Sequence, residues 1–368
     1  MVNAGDRAPP GDLLPSAGSS RSRAALVALA LCAVLLILVG VSSLVGSHWL
    51  PPLAVFAILL HQGSGGLLGS PCGGMAPSGT ECTIWTEIVW DARIPTILVA
   101  LLCGAALALS GGTLQGTFRN PLCDPFLLGL SSGAAMGASI LFTFQIALAD
   151  QSALLPLFAF LGAIVPGMVV YVAARRFASS PESLVLTGVA LSALFSAILA
   201  MFLFLNPSGG LQVSFWLLGN LQDQTWTRVG LLAAALLIGG SLLVLYGREL
   251  NVLQLGPEVA ESVGVEARRT TRRLILLSTL VTAVAVAFTG VIGFVGLVSP
   301  HVVRLLVGPD YRRVLPLAAL FGAVFLLGAG DLAQLVIPQV FLPVGIPTSF
   351  AGVPFFLYLL YRPKSRTR

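Results

Sequence analysis

Residues 248–273 read RELNVLQLGPEVAESVGVEARRTTRR. The stretch carries nine charges in 26 residues, in a chain where charged residues are only 10% of the total. Long apolar segments flank it, six before and four after. At the centre of a bilayer each such charge costs about 2.5–3.5 kcal/mol on insertion scales. The stretch therefore belongs in water, between two sets of membrane helices. Pro257 suits a first helical turn, and Gly264 breaks the helix that it starts. A second helical turn is predicted from Glu266, acid first and arginines after, the order that a helix dipole favours. Two readings fit: a solvated loop, or a pair of short helices that docks a cytoplasmic partner.

Composition sets the class. With 56% hydrophobic residues, 40 glycines in 368 residues and a mean hydropathy of +0.94, the chain reads as an all-α polytopic membrane protein. A spanning helix needs roughly 20 mainly apolar residues. That standard predicts about ten transmembrane helices, near 24–46, 94–115, 127–148, 153–173, 184–205, 228–247, 274–293, 296–308, 314–333 and 347–361. The eighth and tenth are short and interrupted by Gly or Pro. Basic residues near span ends stay in the cytoplasm. With the N-terminus inside, 18 of the 20 basic residues fall on the inner face and only Arg93 and Arg228 on the outer. Both termini and the 248–273 platform are thus expected in the cytoplasm, and the net charge of +5 gives no hint of nucleic-acid binding.

In chain order, residues 1–23 are rich in Gly, Pro, Ser and Arg and read as a disordered cytoplasmic arm before a transmembrane domain over 24–368. The 24–46 segment is too long for a signal-peptide core and reads as the first span. In the outer loop of about 47–92, the apolar piece AVFAILLH (54–61) is too short to span and is expected at the interface. Cys72 and Cys82 lie in this loop. In an oxidising compartment they would form a disulfide; otherwise they are free thiols. Cys32 and Cys103 lie within spans and Cys123 is expected to face the cytoplasm, so no metal-site spacing emerges.

Residues 93–138 hold the densest motif. Small residues from Gly104 to Gly112 allow helices to pack closely. The NPLCDP turn (120–125) breaks the chain at the inner face, where Asn120 and Asp124 can satisfy freed backbone groups. A short echo suggests an inverted internal repeat: Ser110-Gly111 precedes Asn120-Pro121 by ten residues, and Thr289-Gly290 precedes Ser299-Pro300 by ten. The first copy runs outside to inside and the second the other way, as in transporters built from inverted halves.

Several blocks, in order over nearly all of 86–361, resemble the FecCD-type permeases, membrane subunits of ATP-driven importers for ferric siderophores, haem and vitamin B12. They are RIPT with ALALSG and RNPLCDPFLLG (93–129), LTGVALSAL (186–194), SFWLLGNL (214–221), GPEVAESVGV (256–265), GVIGFVGLVSPHVVRLLVGPDYRR (290–313) and LPVGIPTSFAGVPFFLYLL (342–360). The resemblance implies a type II ABC importer permease fold. It also implies a homodimer in membrane lipid around a central pathway, two ATPase subunits below and a periplasmic binding protein outside. Gly256, Pro257, Glu258, Ala260, Gly264 and Glu266 would seat in the ATPase. Asn120, Leu122 and Leu186 would form the inner gate, and Arg93 would meet the binding protein. Pro300, His301 and Arg304 match the family's PH-x-x-R block, where a structural or gating role is expected for His301 in place of ligation. The chain departs from the family at Thr96, near Gln334 and at Phe341, where charged residues are usual.

The chain has no G-x-x-x-x-G-K-[ST] loop, so ATP and Mg are expected on the partner ATPase, with no cofactor or metal held here. A secondary transporter would keep ionisable groups deep in its helices, and Asp331 and Arg304 both lie near helix ends. An intramembrane enzyme would need a catalytic constellation, and His48, His61 and His301 share no close spacing. The sequence predicts a permease of the bacterial inner membrane that moves an iron chelate, ferric siderophore or haem. Cobalamin is the alternative cargo, and an ion-coupled secondary transporter the more distant one.

Overall fold

The computed structural model describes residues 17–44, 46, 50–144, 151–176, 181–207, 210–336 and 342–361. Among these residues every regular element is helical. The first helix, α1 (Ala17–Leu44), begins inside the segment expected to be an arm. Next come α2 (Pro52–Gly63) and α3 (Gly79–Thr86), which continues through a π-helical stretch (Glu87–Arg93) into α4 (Ile94–Thr117). A 3-10 turn (Pro125–Leu128) precedes α5 (Leu130–Thr143), α6 (Gln151–Arg176) and α7 (Pro181–Leu205). The short α8 (Gly210–Leu217) leads to α9 (Trp226–Ala235), a second π-helical stretch (Leu236–Gly240) and α10 (Ser241–Leu245). The charged platform holds α11 (Gly247–Leu253) and α12 (Pro257–Ser262). The last four helices are α13 (Ala267–Thr289), α14 (Val295–Val307), α15 (Tyr311–Val336) and α16 (Gly345–Tyr361).

Seven helical stretches among the described residues are long and apolar enough to cross a membrane. The other three expected spans fall on shorter helices: 127–148 on α5, 296–308 on α14 and 347–361 on α16. A short helix can sit at membrane depth when protein covers its ends. Each of α5 and α14 is entered from a left-handed residue, Gly129 (φ 85°) and Phe294 (φ 68°), that turns the chain sharply.

The middle of the bundle is α4, with 19 of its 24 residues buried. An added methyl at Gly104 would land on the Gly322 carbonyl of α15, and one at Gly111 on the Gly296 carbonyl of α14. With no hydrophobic gain from helix contact in lipid, such backbone approach is what holds the bundle. The helices α4 and α13 are antiparallel: Cys103 Sγ lies 3.3 Å from Thr289 Oγ1, while Leu114 and Ile275 share a cluster towards the other end.

A repeat is present in the elements, in a register other than the residue echo. The triplet α4–α5–α6 runs 24, 14 and 26 residues, and α13–α14–α15 runs 23, 13 and 26. The echo instead pairs Ser110, inside α4, with Thr289, at the end of α13. Helix ends align Thr117 with Thr289. Small residues recur along membrane helices for packing alone, which is why the echo slipped. The triplets interlock, because α4 packs on α15 and α13 on α6.

Residues 50–93 fold as a cap. Leu50, Val55, Ile58, Cys72 and Val89 form its core, and Cys72 is bonded to Cys82. The piece 54–61 is helical within α2, with Val55 and Ile58 turned inwards and Leu53 and Phe56 outwards.

Candidate coupling platform and inner gate

The platform follows from its local sequence. Gly256 (φ 107°) starts α12 with Pro257 at its first position, and Gly264 (φ 85°) ends it. Val265 N–H returns to Ala260 O at 2.9 Å, closing the helix end. The turn predicted from Glu266 is not a separate helix. It is the start of α13, which runs unbroken into the bundle, because nothing between Ala267 and Thr289 interrupts hydrogen bonding. Ala260 and Ala267 are buried in the main core cluster. Leu255, Val259 and Val263, four residues apart, are 67%, 43% and 62% exposed. Glu258 and Glu261 beside them are also exposed, as are Arg268, Arg269 and Arg273 on α13. Glu266 reaches Arg269 at 3.5 Å across this open surface, a pair worth little in water.

Two latches hold the platform to the bundle. Gln254 Nε2 donates to Gly116 O at 2.6 Å, in the last turn of α4. Asn251 Nδ2 donates to Asp310 Oδ1 at 2.6 Å, and Tyr311 N–H donates to Asn251 Oδ1 at 2.8 Å. Asp310 also takes Arg312 Nη2 at 2.7 Å. The Arg312 hydrogen bond, helped by Asn251 and opposed by burial, pulls the Asp310 carboxyl down to about 2. Neither latch was legible beforehand, since Asn251, Gln254 and Asp310 meet only through the fold.

The NPLCDP turn, expected to form the inner gate, begins where α4 ends. Arg119 adopts a left-handed φ of 52°, and a Cβ at Gly256 would lie 3.9 Å from its Nη1. Asn120 Oδ1 accepts Leu122 N–H at 2.9 Å, and Asp124 Oδ1 accepts Phe126 N–H at 2.9 Å, capping the 3-10 turn. Burial pushes the Asp124 carboxyl up to about 6 against that bond. Cys123 is buried in the cluster with Leu114, Phe118 and Leu184 and does not face water as expected. From α7 it is Leu184 and Gly188 that meet the turn region, Gly188 lying on Leu127 and Leu128. Leu186 points away, 68% exposed.

The PH-x-x-R residues face inwards. Pro300 packs near Gly112, and the His301 ring meets Phe355 edge-on at 6.1 Å. Arg304 Nη2 donates to Gln115 Oε1 at 2.7 Å and lies over the Tyr311 ring. Gln115 Nε2 in turn donates to Leu297 O at 3.2 Å. Gln115 was missed from sequence; its signal was a lone amide in an apolar helix. At the other end, half-buried Arg93 donates to Ser43 O at 3.0 Å.

The FecCD transport family matches residues 33–362. The chain belongs to that family. It is 42% identical to a cobalamin import system permease protein BtuC of Halobacterium salinarum, over 74% of this chain and 73% of the relative. It is 39% identical to the hemin transport system permease protein HmuU of Yersinia pestis, over 78% and 87%. A metal-chelate type ABC transporter solved in an inward-facing conformation superposes with a TM-score of 0.74 at 29% identity, covering 90% of this chain and 98% of that one. This FecCD protein is therefore an ABC importer permease, a multi-pass transport component. The relatives' names divide among cobalamin, hemin and Fe(3+)-citrate and fix no cargo.

Proposed function

We propose that the protein is the permease of a binding-protein-dependent importer of an iron chelate, ferric siderophore or haem, in the bacterial inner membrane with both termini cytoplasmic. The observation that carries the reading is the latched platform: an apolar ridge, Leu255–Val259–Val263, rimmed by Glu258 and Glu261 and tied to the gate-side end of α4. An ATPase subunit seated on that ridge, holding the ATP and Mg, moves the platform when it closes. The Gln254 and Asn251 latches carry the movement to α4 and to the α14–α15 corner. The turn holding Asn120 and Leu122 follows α4 directly and opens or shuts the inner end, with exposed Leu186 facing the pathway at the junction with a second copy.

Arg93 enters this scheme as a positioning group for the outer cap, since its guanidinium already serves Ser43 O. Binding-protein docking then leans on the cap surface itself. The Cys72–Cys82 bond suits an outer, oxidising compartment.

The test is uptake into proteoliposomes containing the permease, its cognate ATPase and its binding protein, offered haem, a ferric siderophore and cobalamin in turn. ATP-dependent entry of one iron chelate is expected. ATP-dependent entry of cobalamin alone would move the assignment to that cargo, and entry that follows an ion gradient without ATP would overturn the importer reading.

A further inference from the structure

Arg228 is an exception to the inner bias of basic residues, and neither coupling nor gating uses it. It lies in the first turn of a membrane-spanning stretch, beside a groove of about 840 Å³ between α6, α9 and α13. That size is in the range of small-ligand sites, roughly 300–1,000 Å³. The depth of the groove is apolar, formed by Leu157 and Phe160 of α6, Leu231 of α9, and Val284 and Phe288 of α13. Its rim is polar, with Arg228, Asp223, Thr225 and Thr227. Beside the rim Trp226 Nε1 donates to Trp90 O at 3.1 Å and the two rings lie 5.0 Å apart. Tryptophans gather at headgroup level in membrane proteins. The groove thus runs from headgroup depth into hydrocarbon, and its rim carries one charge of each sign.

We propose that the groove binds an ethanolamine phospholipid, with an acyl chain between α6, α9 and α13, its phosphate on Arg228 and its ammonium on Asp223. Charge complementarity selects this headgroup. A guanidinium is a planar fork that suits phosphate oxygens, and a primary ammonium donates hydrogen bonds to a carboxylate, which a trimethylated choline cannot do. A glycerol headgroup would leave the Asp223 carboxylate facing no cation from the lipid. The rim is held in shape: Arg228 Nη1 donates to Asp223 O at 3.0 Å, and Asp223 sits at a left-handed φ of 52°, which Asn also tolerates.

The experiment is native mass spectrometry of the purified permease after delipidation, with ethanolamine, choline and glycerol phospholipids of identical chains added in equal amounts. The wild-type protein is expected to keep the ethanolamine lipid several-fold over the others. D223N, which preserves the backbone, should erase the preference over choline, and R228Q should weaken retention of all three. A153W, on the α6 side of the groove, should lower bound lipid without altering the headgroup ranking of what remains. Equal retention of the three lipids would show only non-specific annular lipid, and a preference unchanged in both D223N and R228Q would place the binding elsewhere; either result overturns the site.

Discussion

Removing the Asn251 latch gives the sharpest test of coupling. In N251A the amide bond to the Asp310 carboxylate (2.6 Å) and the bond from Tyr311 N–H (2.8 Å) both go. A hydrogen bond to a charged group contributes about 1.5–3 kcal/mol and an ordinary one about 0.5–1.5. Asp310 keeps Arg312 and water can reach its edge, so we halve the sum to about 1.6 kcal/mol. A loss of that size shifts the ratio of latched to unlatched platform by a factor of about 15. ATP hydrolysis by the bound ATPase should persist while transport per ATP falls several-fold. N251D should be worse at neutral pH, because it sets a second carboxylate against Asp310. Since Asp310 titrates near 2, below its ordinary value, its contribution is present above about pH 4. It is lost only as pH falls towards about 2, so neutral buffers test the charged latch. The assay is uptake and phosphate release measured on the same proteoliposomes, with thermal melting in detergent as the folding control. An unchanged transport-to-hydrolysis ratio in both N251A and N251D would refute the latch.

Further outcomes follow at four single positions. G111A should abolish recovery of monodisperse protein, since its methyl would meet the Gly296 carbonyl and overpacking costs about 1–3 kcal/mol or more. G40A, with nothing within 4 Å of the new atom, should melt like wild type. G264V should weaken ATPase binding in a pull-down through its backbone alone, because φ is 85° and open space surrounds the site; G264N, which accepts that φ, should bind nearly normally. Asp124 is raised to about 6 by burial, so its stabilising contribution is complete below about pH 4 and is lost as pH rises through about 6. Melting temperature measured between pH 4.5 and 7.5 should therefore decline in the wild type more than in D124N, and parallel slopes would count against a buried carboxyl there.

The parts legible in the sequence were those set by local chemistry. Pro257 and Gly264 announced α12 and its end because one presets φ and the other accepts a left-handed turn. Charge fixed the platform as water-facing. What escaped reading depends on where distant segments meet. The π-helical stretch at Glu87–Arg93 leaves no compositional trace, so the 94–115 span was not seen to continue from α3. Gln115, Asn251 and Gln254 looked like incidental polar residues until α14, α15 and α4 placed partners opposite them. No local pattern marks Leu184 and Gly188 as the α7 residues that meet the 120–128 turn region. The expectation at Phe341 lies outside the described residues.

The interlocked triplets also set a clock on synthesis. Gly104 of α4 meets Gly322 of α15, and at about 5–20 residues per second the ribosome needs roughly 10–40 s to travel from one to the other. For that interval the small-residue face of α4 has no protein counterpart, and something in the membrane must shelter it. The other crossed pair waits about half as long, since Gly167 of α6 meets Thr279 of α13 after roughly 6–22 s at the same rate. The first half of the chain is thus the vulnerable one during insertion. Truncation before α15 should yield a protein that the membrane's quality control removes, even though each of its helices can enter the bilayer.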